Sequence, residues 1–112
     1  MSQLTLNLIQ GSVSFNFTPD AAQNLRQEIN KLMESLKAIT LQQKSGSKPT
    51  AKPPMEYQYT GNIFLELFCN PNIYPNPFSA KVLVTIRDEH LRLTSEAELT
   101  RLMEDLEKYL AL

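Results

Sequence analysis

The strongest constraint on the fold is a change of hydrophobic period that occurs twice, once near each end of the chain. Apolar residues alternate as Leu4, Leu6 and Leu8, break at Gln10-Gly11-Ser12, and resume as Val13, Phe15 and Phe17. Successive side chains of a strand point to opposite faces, so two alternating runs around a glycine turn predict a β-hairpin with one buried face. The period then switches. Thr18 offers a helix cap, Pro19 suits the first helical position because its missing N–H has no partner there, and Asp20 complements the positive end of the dipole. Ala22, Leu25, Ile29, Leu32, Met33 and Leu36 follow at spacings of three and four, which predicts an amphipathic helix ending near Ile39 to Leu41.

The other end repeats the plan. Val82, Val84 and Ile86 alternate into Asp88-Glu89, and Leu91 and Leu93 continue beyond it, predicting a second hairpin. Ser95-Glu96-Ala97-Glu98 has the pattern of a capping box, and Leu99, Leu102, Met103, Leu106, Tyr109 and Leu110 form the stripe of a second helix. Phe15, Phe17 and Thr18 correspond to Leu91, Leu93 and Thr94 at a constant offset of 76. This reads either as an internal duplication or as two ordinary hairpin-helix units.

Between these units, residues 42 to 55 (QQKSGSKPTAKPPM) hold three Lys, three Pro and no acid, and read as a flexible basic Pro-rich linker. Tyr57 and Tyr59 then lead through Gly61 into a strand with Ile63, Leu65 and Leu67 on one face and Phe64, Glu66 and Phe68 on the other. Both faces are partly apolar, so this strand belongs in the middle of a sheet. The expected fold is α+β, one domain over residues 1–112, in the order β-β-α-β-β-β-α, with both helices on one face of a mostly antiparallel sheet. A chain of 112 residues buries roughly two thirds of its unfolded surface, enough for one core without disulfides or metal.

The residue inventory narrows the chemistry. Cys69 is the lone cysteine and His90 the lone histidine, so no zinc-ligand spacing exists and neither metal nor cofactor is implied. A Cys69–His90 nucleophile and base would need hydrogen-bond contact, yet the strand pattern sets them roughly 25 Å apart. The three glycines sit singly at 11, 46 and 61, which leaves no phosphate-binding loop. Glu96, Glu98, Glu104, Asp105 and Glu107 alternate with the leucine stripe and read as a solvated helical face, with Glu104 and Lys108 spaced for an ion pair. Asn16-Phe17-Thr18 matches a glycosylation sequon, which matters only in an exported protein. No apolar run reaches the roughly 18 residues of a membrane span, and no basic segment precedes an apolar one at the amino terminus. A cytoplasmic protein without membrane contact is expected.

Charge is unevenly spread. Residues 1–55 carry six basic and three acidic side chains, and residues 56–112 carry five and nine, so a net charge of −1 conceals halves of +3 and −4. Lys44, Lys48 and Lys52 in the linker, with Tyr57 and Tyr59 after it, are the one combination that suggests weak nucleic-acid binding. The segment CNPNIYPNPFS combines three Pro and three Asn with Ile73, Tyr74 and Phe78. These three residues either fold back as a lid on the core or present a stiff, aromatic protein-contact loop.

The stretch LRLTSEAELTRLMEDLEKYLAL, residues 91–112, resembles the carboxyl-terminal segments of small cyanobacterial proteins of unknown function, which share its Leu-x-Leu-Thr-x-Glu-Ala-Glu-Leu opening. The resemblance implies a cyanobacterial cytoplasm and lends no activity or site residue. The sequence therefore points to a non-enzymatic protein-interaction module, an assembly or regulatory factor. Its contact would be through Ile73, Tyr74 and Phe78, and the simplest partner is a second copy of itself. Nucleic-acid binding through the linker is the alternative, and thiol chemistry at Cys69 the third.

Overall fold

A computed structural model describes residues 3–46, 48 and 50–111. The order is β1 (Gln3–Leu8), β2 (Gly11–Asn16), α1 (Pro19–Lys44), β3 (Met55–Thr60), β4 (Phe64–Cys69), two short 3₁₀ turns (Pro71–Ile73 and Pro77–Ser79), β5 (Lys81–Arg87), β6 (Arg92–Glu98) and α2 (Leu99–Leu110). This is the expected α+β order. The strands form two antiparallel sheets: the β1–β2 hairpin, and a four-stranded sheet in the order β3-β4-β5-β6. At about 1.5 Å per residue the 26 residues of α1 span about 39 Å, which accounts for most of the 48 Å long axis of the molecule.

Alternation settles which face of the larger sheet is covered. Met55, Tyr57, Leu65, Leu67, Cys69, Val82, Val84, Ile86 and Ala97 are buried on one side, beneath the helices. Against them α1 sets Leu25, Ile29, Leu32 and Leu36, while α2 contributes Leu99, Leu102, Leu106 and Tyr109. Each fully buried Leu or Phe contributes about 1.5–3 kcal/mol, so this layer carries most of the stability. Phe17 joins the hairpin to the rest. Its ring meets Phe15, Tyr59 and Tyr109 edge-on at 5.7, 4.8 and 6.2 Å, and its carbonyl accepts a hydrogen bond from the Tyr109 hydroxyl.

Among the described residues one backbone bond joins the hairpin to the larger sheet, Ile9 N–H to the Glu96 carbonyl at 2.9 Å. A side chain of α2 holds it as well. Asp105, 4% exposed, accepts from the Asn7 backbone N–H at 2.7 Å and from the Asn7 side-chain amide at 2.8 Å, with Arg101 Nε at 3.4 Å. The expectation of a solvated acidic face is therefore corrected at this position, where the carboxylate satisfies a β1 donor. Arg101–Asp105 is the ion pair within α2, in place of the expected Glu104–Lys108 pair.

Three further expectations change. Thr18 does cap α1, accepting from Ala21 N–H at 3.1 Å, but the helix runs past Leu41 to Lys44, since Gln42, Gln43 and Lys44 are good helix formers. The capping box at Ser95 is not made. β6 continues through Glu98 because Lys81, Val82 and Leu83 pair with Glu98, Ala97 and Glu96, and a sheet ladder satisfies more backbone than one cap. The helix starts at Leu99, whose N–H donates to the Ala80 carbonyl at 3.0 Å. The 76-residue correspondence consequently stops at the strands, because Pro19 begins a helix while its counterpart Ser95 lies within β6.

Candidate functional site

The β4–β5 connection, residues 70–80, is short on regular structure but well fixed. Asn70 and Asn76 each precede a proline. Each uses its side-chain oxygen as a cap, accepting from Asn72 N–H and Ser79 N–H, both at 3.0 Å, while Pro71 and Pro77 occupy the position after the cap. Both prolines are buried and anchor the loop. The Thr40 hydroxyl of α1 shares its proton between the Leu36 carbonyl at 2.9 Å and the Pro75 carbonyl at 3.1 Å, and the Tyr74 hydroxyl donates to the Lys81 carbonyl at 3.3 Å. Asn72 grips the linker, accepting from Lys52 N–H at 2.8 Å and donating to the Lys52 carbonyl at 2.7 Å.

This fixed backbone holds out two large apolar side chains. Ile73 is 67% exposed and Phe78 81% exposed, so neither closes over the core. Tyr74 is half-buried and packs against the core, the one residue of the three that acts as a lid. Phe78 borders a shallow cleft with Thr40, Gln43, Lys44, Pro75, Asn76 and Pro77, and Leu41 is exposed on the same end of α1.

The residues of the nucleic-acid alternative do not come together. Lys44 and Lys48 are exposed, but Tyr57 is buried, with its hydroxyl 3.5 Å from the Ala21 carbonyl, and Tyr59 packs on Phe17. Burial pushes the Tyr57 phenol up to about 12, aided by neighbouring Tyr59. Neither ring is a free stacking platform.

Cys69 and His90 also lie apart, at opposite ends of the sheet. Cys69 pairs with Met55 at the close of β4, whereas His90 lies in the β5–β6 turn, beyond the Phe64–Arg87 pair at the other end. Burial pushes the Cys69 thiol up to about 11, the opposite of what an activated thiolate needs. The turn around His90 is organised by Asp88, whose carboxylate accepts the His90 and Leu91 N–H groups at 2.8 Å each and is thereby held below the usual carboxylate range. Among the described residues no group of three or more His, Cys, Asp or Glu could hold a metal ion, and no helix is long and apolar enough to cross a membrane.

A second apolar surface was not singled out from the sequence. The outer face of the four-stranded sheet carries Phe64 and Phe68 of β4 and Leu83 of β5, with Phe68 38% and Leu83 43% exposed and directly paired. Arg87 lies over the Phe64 ring at 4.3 Å. The alternation of β4 places both phenylalanines on one face; what it does not reveal is that both helices pack on the other. Comparison with family models, curated proteins and solved structures finds no match for this chain.

Proposed function

We propose that this chain is a non-enzymatic protein-binding module whose contact surface is the residue 70–80 loop with the adjoining end of α1. The observation that carries this reading is Phe78, 81% exposed on a backbone fixed by two asparagine caps, two buried prolines and the Thr40 bond. Ordering a loop on binding costs conformational entropy, and here most of that cost is met in the free protein, so an aromatic anchor retains more of its burial energy. A partner with an apolar groove fits Ile73 and Phe78, and an acidic group at its rim fits Lys44.

The test is partner capture from the native host with the wild-type chain and with Phe78→Ser, identified by mass spectrometry and followed by titration of the captured species. Phe78 is so exposed that the substitution costs under about 0.5 kcal/mol of stability. At least tenfold weaker binding by the variant is expected; an unchanged set of bound proteins and unchanged affinity would overturn the reading. A nucleic-acid role for Lys44, Lys48 and Lys52 has weaker support, because Tyr57 and Tyr59 face the core.

A further inference from the structure

We propose that two copies of this chain associate face to face through the outer surface of the four-stranded sheet, about a two-fold axis running across the strands. This goes beyond the loop reading and uses a different surface. The argument begins with the register. One cross-strand row of outward side chains is Glu56, Phe68, Leu83 and Glu96, and another, four residues further along the strands, is Thr60, Phe64, Arg87 and Arg92. At about 3.3 Å per residue the two rows stand about 13 Å apart. The face thus has an acidic end and a basic end, with apolar side chains in both.

Among the described residues neither Glu96 nor Arg92 has an ion-pair partner in its own chain. Two isologous arrangements bring such faces together with their strands aligned. A two-fold axis parallel to the strands sets each row against itself with the strand order reversed, so that Glu56 meets the other copy's Glu96 and like charges oppose. An axis across the strands exchanges the rows. Phe68 then meets Phe64, Leu83 meets the stem of Arg87, and Glu96 meets Arg92, each contact occurring twice. Face-to-face sheets pack about 10 Å apart, within the combined reach of a Glu and an Arg. Charge complementarity therefore selects both the occupant, a second copy, and the axis.

The row on the axis meets its own image. Thr94 brings an exposed hydroxyl and Thr85 is only 6% exposed, whereas Glu66 meets Glu66 and is the one repulsive element, its carboxylate held toward β3 by Gln58 at 2.9 Å. Glu66 is thus a residue whose neutralisation tightens the dimer.

Sedimentation equilibrium over a concentration series tests this. Glu96→Arg and Arg92→Glu each weaken the dimer at least about tenfold, the double exchange restores it to within a few-fold, and Glu66→Gln strengthens it; circular dichroism confirms that each variant is folded. Phe78→Ser leaves the dimer unchanged. A monomer at all concentrations up to about 1 mM, or a dimer indifferent to the charge exchanges, overturns the proposal. A dimer lost on Phe78→Ser overturns it too, and moves the self-contact to the loop. Failure of the loop reading is separate: it shows as unchanged capture of other proteins by Phe78→Ser, whatever the state of the dimer.

Discussion

Replacing Asp105 by alanine tests how the amino-terminal hairpin is held. Asp105 is nearly fully buried, and its two oxygens accept the Asn7 backbone and side-chain N–H groups at 2.7 and 2.8 Å. A hydrogen bond to a charged acceptor contributes about 1.5–3 kcal/mol, and Asn7 makes two of them, its half-buried donors meeting water when the carboxylate is removed. Arg101, at 3.4 Å and partly exposed, adds little. The expected cost of Asp105→Ala is therefore about 3–4 kcal/mol, read as a lower urea midpoint at unchanged m-value. The two bonds are separable. Asn7→Ala removes the side-chain donor and leaves the backbone one, so it costs about 1.5 kcal/mol. In the double mutant the coupling is then only that share, and removing Asp105 in the Asn7→Ala background still costs about 2 kcal/mol. If Asp105→Ala costs less than about 1 kcal/mol, or if all of its effect vanishes in the Asn7→Ala background, the carboxylate does not hold the β1 backbone and the reasoning fails.

Other outcomes follow from the same structure. The fold accommodates the neutral Tyr57 phenol and the neutral Cys69 thiol, raised by burial from 10.0 to about 12 and from 9.0 to about 11, so their contribution is intact below pH 9. It is lost as pH rises toward 11 and 12, and urea midpoints between pH 8 and 12 fall accordingly, less steeply in Tyr57→Phe. Cys69 reacts with a disulfide reagent at pH 8 at least a hundredfold more slowly in the native protein than in urea, as stopped-flow absorbance would show; equal rates would place the thiol in solvent. Asn72→Ala frees the Lys52 amide, whose hydrogen exchange, followed by NMR, accelerates at least about tenfold without a comparable change in the core.

Much of the fold was legible because hydrophobic period reports backbone geometry directly. Of the alternating residues, Leu4, Leu6 and Phe15 form the buried strand face, Leu8 and Val13 are half-buried and Phe17 is buried just past β2, and the stripe Leu25, Ile29, Leu32, Leu36 is the buried face of α1. Local signals failed where non-local pairing competed with them. Ser95 to Glu98 has the side chains for a helix cap, but their backbone is claimed by β5, and a cap motif carries no information about a partner strand. Asp105 belongs to an acidic run along the helix, and only its meeting with Asn7, 98 residues away, buries it. In the loop, the two Asn-Pro dipeptides contained the signal for paired caps, an acceptor followed by a residue without N–H. Ile73 and Phe78 stand exposed on this loop, while Tyr74 packs on the core, a difference that their spacing does not encode.

The way the hairpin is attached also bears on how the molecule is made. The hairpin's attachments join Asn7 to Asp105, Phe17 to Tyr109 and Ile9 to Glu96. A ribosome adds about 5–20 residues per second, so β1 and β2 wait about 5–20 s before the helix that completes their contacts exists. During that interval the hairpin is a marginal two-stranded element with an exposed leucine and phenylalanine face. Ala21, Ala22 and Leu25, which share the core cluster with Phe15 and Phe17, are the first apolar surface made after them, and the hairpin's packing is completed only when α2 follows.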